Sequence, residues 1–473
     1  MISLQVSELA RAVDGALHAD DAEARRVVSG LTWDSRKVEA GNIFLAMPGE
    51  RVDGNDFVVA AIQAGAGCIL CTREPDTSTK AIAGEFICPY IVVSDGVEAL
   101  TKLAAWWRRK LHAVVIGITG STGKTSTKDF LRSVLSQRFK TTATVANHNN
   151  EIGVPATILS AEADTEVLIV ELGMRGLGQI KQLCHLVMPS IGIITNIGMS
   201  HLELLGSQDN IALAKSELLT ELPVTGLAVL NADDTYTPFL KEHGMLAEHG
   251  VKTLTYGFAA DADVRADEPS YDLTACAQFD LTLPDQQTVK VKLPLAGRYN
   301  VSNALAAATV GSYLGLKPDE IAKGLAEAKG SGMRMEVEHA RGGVTVVNDA
   351  YNASPDSMRS SIDTLCNMDC TGRHIAVLGD MGELGDDEYE LHERVGRHAA
   401  DSRLDLLVCV GTLSEGIARG ALAAGMEESR VKHFATVEET QEYLAETLAE
   451  GDLVLVKASR FMELERIVKG VVE

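Results

Sequence analysis

The chain is short of positive charge. It carries 43 Lys and Arg against 66 Asp and Glu, a formal net charge of −23 at pH 7. A surface that tracks the phosphates of a nucleic acid or an anionic membrane needs clustered Lys and Arg, so the balance argues against both partners. It leaves nucleotides open, because one local positive site is enough for them. No apolar run reaches the ~20 residues of a membrane span, which argues against membrane insertion. The first residues, Met1–Glu8, show neither the basic start nor the apolar core of a signal peptide. Among eight cysteines there is one C-x-x-C, Cys68-Ile69-Leu70-Cys71, and no second one to complete a zinc site. A redox or metal reading of it stays open, but its apolar middle reads as a buried strand. The cysteines are expected to be reduced and mostly buried, and the expected compartment is the cytoplasm. There is no internal repeat and no low-complexity tract. The guanine-reading pattern Asn-Lys-x-Asp is also absent, and Asn231-Ala232-Asp233-Asp234 resembles it only superficially. That argues against a GTP-dependent switch.

What is present is more specific. A length of 473 residues suggests about three domains at roughly 150 residues each, with 46% hydrophobic residues to build their cores. Val114-Val115-Ile116 reads as a buried strand. Gly117-Ile118-Thr119-Gly120-Ser121-Thr122-Gly123-Lys124-Thr125 follows it, and then comes a helical pattern with Phe130, Leu131, Val134, Leu135 and Phe139 on one face. Strand, Gly-rich turn and helix start form the geometry that cradles a nucleoside triphosphate. Backbone N–H groups point at phosphate oxygens, Lys124 reaches the β/γ-phosphates, and the Thr125 hydroxyl is placed for Mg²⁺. Ile118 stands where the common pattern has its first Gly. The spacing that holds is Gly120-x-x-Gly123-Lys124-Thr125.

Around this loop the chain reads as α/β. The first ~110 residues mix short strands, helices and acidic turns, with a turn-rich loop over Met47–Asn55 and a closing helix over Val97–Lys110. Val167–Val170, Ile191–Thr195 and Leu227–Leu230 are short β-rich runs that suit a parallel sheet with crossover helices. Tyr271–Leu295 alternates as antiparallel strands do, and Val301–Tyr313 reads as a helix. From about Pro318, strands at Val344–Val347, Ile375–Leu378, Leu406–Val410 and Leu453–Val456 alternate with helices, which predicts a second doubly wound domain.

Ligands of open α/β sheets gather at the carboxyl ends of the strands. Glu171 ends one strand and suits Mg²⁺, a hard cation that takes oxygen ligands, or else a turn or helix cap. His201 follows another strand end and is either a functional group or a structural hydrogen-bonder. Lys215 falls in the middle of the apolar arc Ile211, Leu218, Leu219, Leu222 of a helix over Asp209–Leu222. It must snorkel to water or find a partner, and burial would depress its pKa and leave a neutral, nucleophilic amine. Asn300, at a helix start, could read a base edge, although capping is the simpler role. Asp349, after the strand Val344–Val347, suits a ribose hydroxyl or an Asx-turn.

Taken together, these segments resemble the Mur ligase family of ATP-dependent amide-forming enzymes, over essentially the whole chain. The resemblance rests on the phosphate loop, Asn147-His148-Asn149-Asn150-Glu151-Ile152-Gly153-Val154-Pro155, Glu171-Leu172-Gly173, Asn196–His201, Ala214-Lys215-Ser216-Glu217 and Asn348–Pro355. It implies three domains: a small α/β UDP-sugar-binding domain (1–110), a central P-loop parallel-sheet ATPase domain (111–317) and a C-terminal Rossmann-like domain (318–473). It also implies site residues. The loop Gly120, Ser121, Thr122, Gly123, Lys124 and Thr125 would hold ATP, with Lys124 on the γ-phosphate. Asn300 would face adenine, Asp349 the ribose, and Arg334 would reach the nucleotide. Thr125 and Glu171 would hold one Mg²⁺, His201 a second, and Lys215 would carry a CO₂-derived carbamate that also engages Mg²⁺. Asn150 would sit near the reacting phosphoryl group. Asp34-Ser35-Arg36-Lys37-Val38 and Asp53-Gly54-Asn55-Asp56-Phe57 resemble the UDP-sugar loops, so Ser35, Arg36, Asp53 and Asn55 are the expected substrate contacts. Asn55 stands where the family usually has histidine.

Within the family, the third-residue-adding branch commonly carries Asp-Asn-Pro-Arg, which is absent here. Leu378–Gly385, Asn348–Pro355 and Lys457-Ala458-Ser459-Arg460 are instead similar to the branch that joins D-alanyl-D-alanine to UDP-N-acetylmuramoyl-tripeptide. Those two substrates and a monomeric enzyme are therefore expected. The alternatives are a sibling that adds one amino acid, or a folylpolyglutamate synthase-like ligase, which would not need the first ~110 residues as a UDP-sugar domain.

Overall fold

The structure is a computed structural model and describes residues 1–49, 52–75, 88–340 and 342–472. Glu50 and Arg51, within the turn-rich loop expected over Met47–Asn55, lie outside the described residues. The fold is mixed α/β and divides into two compact units. One comprises Met1–Gly117, Phe139–Gly173 and Ile180–Ile191; the other comprises Ile118–Arg138, Met174–Gln179 and Gly192–Glu473.

The first unit holds a five-stranded sheet in the order Ala16–His18, Tyr90–Val92, Cys68–Cys71, Ile43–Ala46, Leu31–Thr32. All its pairings are parallel except that of Ala16–His18. Cys68-Ile69-Leu70-Cys71 is fully buried in it, so this segment is a core strand, as its apolar middle suggested. Burial pushes the Cys71 thiol up to about 12, which makes it inert. The helix Gly96–Arg108 is capped by Asp95, whose carboxylate accepts from Glu98 N. Its Trp107 Nε1 donates to the Ala161 carbonyl at 2.9 Å, just past the helix Gly153–Ser160. The unit also holds the antiparallel pair Ser3–Gln5 and Val27–Ser29 and the parallel pair Thr141–Ala143 and Val167–Glu171.

The second unit begins inside the phosphate loop. Its helix Lys124–Leu135 buries Phe130, Leu131, Val134 and Leu135. Phe139 lies four residues beyond the helix end and is only half-buried, so the apolar face is shorter than the sequence suggests. Parallel pairing joins Leu227–Asn231 to Lys252–Gly257 and that strand to Val264–Ala266. The expected antiparallel segment is present as Ser270–Tyr271, Cys276–Thr282 and Thr288–Ala296. In the last of these, Val291 and Leu293 are buried while Lys290 and Lys292 are exposed.

Farther along the second unit is a six-stranded sheet: Glu336–His339, Thr345–Asn348, Leu453–Lys457, His374–Gly379, Leu406–Val410, Val431–Phe434. Only the first strand is antiparallel. Val347, Ala376 and Leu378 pack with Met358, Ile362 and Val395 on one face; Val346, Ile375 and Val377 pack with Val437, Leu444 and Ile467 on the other. Helices on both faces of a parallel sheet are the doubly wound arrangement. Its two outer strands have no counterpart among the expected ones, because Glu336–His339 is largely exposed and lacks an apolar pattern.

The helix Pro318–Ala326 seats on Lys124–Leu135. Ser133 Oγ donates to the Gly324 carbonyl at 2.6 Å, and a Cβ at Gly324 would come within 2.5 Å of Val134 Cα. In an exposed helix Gly→Ala adds about 1 kcal/mol. Here Gly324→Ala should instead cost on the order of 1–3 kcal/mol, because backbone cannot move aside. Urea unfolding checks this through the shift in midpoint.

Candidate active site

The phosphate loop is shaped by close approaches that only glycine permits. Gly120 has φ 150°, and a Cβ on it would lie 1.8 Å from Thr195 Oγ1. Gly123 has φ 80°, and its Cβ would lie 2.5 Å from Asn303 Oδ1. The segment Thr195–Ser200 then fastens the loop. Ser121 N donates to Asn196 O at 3.0 Å, and Thr122 N to Asn196 Oδ1 at 3.0 Å. Asn196 Nδ2 donates to Thr122 Oγ1 at 2.7 Å, and Gly198 N to Ser121 Oγ at 2.8 Å. Gly123 is the N-cap of the helix Lys124–Leu135, so the positive end of the helix dipole faces the loop. Lys124 Nζ donates to Gly120 O at 2.6 Å, and Arg334 Nη2 to Thr125 Oγ1 at 3.0 Å. The Arg334 guanidinium lies 4.2 Å over the Tyr351 ring.

Lys215 is buried, at 2% exposure, in the helix Gln208–Thr220. Snorkelling is therefore overturned: Ile211, Ala212, Ala214, Leu218 and Leu219 of the same helix are buried with it. Burial, and then the charge of Lys124, push its amine well below the ordinary lysine range. Asn300 is buried within the helix Arg298–Tyr313 and is not its cap, which is Gly297. Its Nδ2 donates to Ala296 O at 2.7 Å and its Oδ1 accepts from Asn303 Nδ2 at 3.2 Å; Asn303 Oδ1 accepts from Thr127 Oγ1 at 3.2 Å. Asp349 forms a buried pair with Lys457, Nζ to Oδ2 at 2.5 Å, and Oδ2 also accepts from Ser361 Oγ at 2.7 Å. The Asx-type bond belongs to its neighbour, Asn348 Oδ1, which accepts from Ala350 N. His201 has φ 66°, and its Nδ1 lies 2.5 Å from Glu383 Oε2. That contact holds the Glu383 carboxyl below its ordinary range. Asp234, the last residue of the Asn-Ala-Asp-Asp segment, accepts from Ile197 N at 2.7 Å and so supports the clamping segment.

In the first unit, Glu171 ends its strand, is buried, and accepts from Asn149 Nδ2 at 2.9 Å. Asn150 Oδ1 accepts from Gly153 N at 3.0 Å, at the start of the helix Gly153–Ser160. Arg36 is exposed and forks onto Asp34 with two bonds of 2.9 Å, which lower that carboxyl to about 2. Ser35 opens the same turn. Asp53 accepts from the backbone and side chain of Asn55, whose Nδ2 also donates to Thr72 Oγ1 at 3.0 Å. Asn55 thus ties two segments together in this chain.

Three family models match: the Mur ligase family catalytic domain over residues 27–108, the Mur ligase middle domain over 118–311, and the Mur ligase glutamate ligase domain over 333–460. A Bacillus subtilis protein named UDP-N-acetylmuramoyl-tripeptide–D-alanyl-D-alanine ligase is 36% identical, over 100% of this chain and 99% of its own. The chain belongs to the Mur ligase family. Among solved structures, MurF from Acinetobacter baumannii superposes with a TM-score of 0.86 at 29% identity, covering 100% of this chain and 99% of that one. MurF from Thermotoga maritima in complex with ADP gives 0.77 at 28% identity, covering 96% and 98%.

Within this Mur ligase the second unit brings together Gly120–Thr125, Arg334 and Lys215 near Lys124. The sequence reasoning missed Asn149, Asn196, Asn303, Glu383 and Lys457. Asn149, Asn196, Glu383 and Lys457 lie inside motifs named above and Asn303 lies outside them; Asn303, Glu383 and Lys457 act on partners far along the chain, which spacing does not reveal. Lys215 offers a test. Its folded value is depressed, so in the window between that value and the unfolded one the unfolded chain holds the extra proton, and stability falls as pH falls. Lys215→Met should raise the melting temperature at pH 7 in CO₂-free buffer and flatten the rise of stability toward alkaline pH, while turnover is lost. Calorimetry across pH with a parallel activity assay checks both.

Proposed function

We infer that this chain is an ATP-dependent ligase that joins D-alanyl-D-alanine to UDP-N-acetylmuramoyl-tripeptide, a cytoplasmic step of peptidoglycan precursor synthesis. The observation that carries the reading is the glycine-shaped loop Gly120–Thr125, clamped by Thr195–Ser200, in a chain matched end to end by ligases of that name. In the first stage the tripeptide carboxylate attacks the γ-phosphorus of ATP, and ADP leaves with the formation of an acyl phosphate. In the second, the amine of D-alanyl-D-alanine attacks the acyl carbon, loses a proton, and phosphate departs. Both stages bring anions together, so the protein's work is positioning and charge compensation. The Ser121 and Thr122 N–H groups are held by Asn196, so the helix start at Gly123–Lys124 and its dipole take the phosphates, Lys124 turns from Gly120 O to the γ-phosphate, and Arg334 adds charge beside Thr125.

The residues fit Mg²⁺ by their chemistry. Glu171 is a buried carboxylate at a strand end and the Thr125 hydroxyl is a neutral oxygen, both hard donors of the kind this cation takes. Those two would hold one ion; His201 and a carbamate on Lys215 would hold another. Bound there, Mg²⁺ supplies neutralisation of phosphate charge. The buried Lys215 suits the carbamate, since a neutral amine adds to CO₂ with loss of a proton. Asn300 and Asp349 are assigned to adenine and ribose, Asn150 to the phosphoryl group, and Ser35, Arg36, Asp53 and Asn55 to the UDP-sugar. Three domains, divided near residues 110 and 317, follow the family plan in a monomer. All eight cysteines are free thiols, as suits a reducing compartment, and no helix among the described residues is long and apolar enough to cross a membrane.

Phosphate release from ATP should require both UDP-N-acetylmuramoyl-tripeptide and D-alanyl-D-alanine and yield a UDP-pentapeptide by mass. Release with a single amino acid and a shorter UDP-peptide would keep the family and move the chain to a sibling. With ¹³C-bicarbonate, a carbamate resonance should appear in the unsubstituted chain and be absent from Lys215→Met.

A further inference from the structure

His201 closes the segment that clamps the phosphate loop, and its side chain does not stand alone. Glu383 Oε2 lies 2.5 Å from its Nδ1, and the Glu383 carbonyl accepts from Glu203 N at 3.2 Å, so one residue grips both the ring and the turn that follows it. Both residues hold left-handed backbone, φ 66° at His201 and 62° at Glu383. Non-glycine residues adopt that region rarely, and when they do the surroundings enforce it. The Glu383 loop is anchored on each side. Met381 is buried and its N–H donates to His392 Nε2 at 2.9 Å; Gly382 N donates to Ser459 Oγ at 2.9 Å; Leu384 is buried. Arg175 Nη2 lies 4.0 Å from the other carboxylate oxygen.

An imidazole that gives its Nδ1–H to a carboxylate keeps its lone pair on Nε2, with the ring orientation fixed. Metal-binding histidines are regularly held in this way. We propose that Glu383 is the positioning residue of His201, setting the tautomer and ring direction that present Nε2 to a divalent cation beside the nucleotide. The inference rests on the ATP reading above. It explains why a loop of the six-stranded sheet reaches the phosphate-loop clamp: the second ion's ligand is competent only when that loop is seated.

The test titrates Mn²⁺ into the full chain with ADP present and follows free Mn²⁺ by electron paramagnetic resonance. It compares the unsubstituted chain with Glu383→Ala, Glu383→Gln, His201→Ala and the His201→Ala/Glu383→Ala pair. Glu383→Ala should weaken Mn²⁺ binding about 10–100-fold. Glu383→Gln should stay close to the parent, because its amide oxygen still accepts from Nδ1–H. Adding Glu383→Ala to His201→Ala should change nothing further. Histidine ¹⁵N spectra should show the Nδ1–H tautomer at His201 in the parent and in Glu383→Gln, and its loss in Glu383→Ala. Unchanged binding in Glu383→Ala, or equal losses with and without His201, would overturn the proposal. Tighter binding would overturn it too and make Glu383 an obstruction. If His201→Ala leaves binding unchanged, the metal role of His201 falls and the proposal with it. If the unsubstituted chain fails to bind Mn²⁺ with ADP, the ATP reading itself falls.

Discussion

The close approach of the phosphate loop to the segment Thr195–Ser200 is the constraint on which the site depends. Gly120 lets backbone pass the Thr195 hydroxyl at a distance no side chain tolerates, and Gly123 does the same beside Asn303. Once the loop is seated, Asn196 satisfies the Ser121 and Thr122 N–H groups. Lys124 and Thr125 then emerge at the start of a helix whose buried face is held by the helix Pro318–Ala326. A loop that grips phosphate with backbone must be rigid before phosphate arrives, and here the rigidity comes from neighbouring segments rather than from the loop's own residues.

Charge is handled by enclosure. Lys215 is an amine buried beside apolar side chains of its own helix, an arrangement that disfavours its charged form. Asp349 and Lys457 are buried too, but they neutralise each other, and Ser361 satisfies a further lone pair. Arg334 reaches Thr125 from a short segment in which Met333 and Met335 both hold positive φ, 57° and 52°. Bonds from Met333 N to Glu336 and from Met335 N to Asp349 hold that backbone in place. The buried pair Asp349–Lys457 therefore also sets where Arg334 stands.

For Lys215, helical periodicity placed the residue on the apolar arc but could not separate snorkelling from burial; the surrounding packing decided it. Asn300 suited a cap by its place at a helix start, yet Gly297 is the cap and the Asn300 amide bonds Ala296 and Asn303. Phe139 continued an apolar period after the helix had ended. Asn55, which departs from the family's usual residue, is drawn into Asp53 and Thr72.

Local information was enough for the elements that carry strong periods: the strand before the phosphate loop, the alternating strand Thr288–Ala296, the helix with Lys215, and the core strands of the six-stranded sheet. Those patterns arise from the 2.0- and 3.6-residue repeats of backbone geometry, which are local properties. The spacing of the phosphate loop likewise put Lys124 and Thr125 at the start of a helix, where the structure has them. Tertiary structure alone decided the partners: Asn303 beneath Gly123, Lys457 against Asp349, Glu383 on His201. Each pair spans more than 100 residues of chain. A hydrogen bond or ion pair across such a distance depends on how sheets and helices pack, and nothing in the spacing of either partner encodes it.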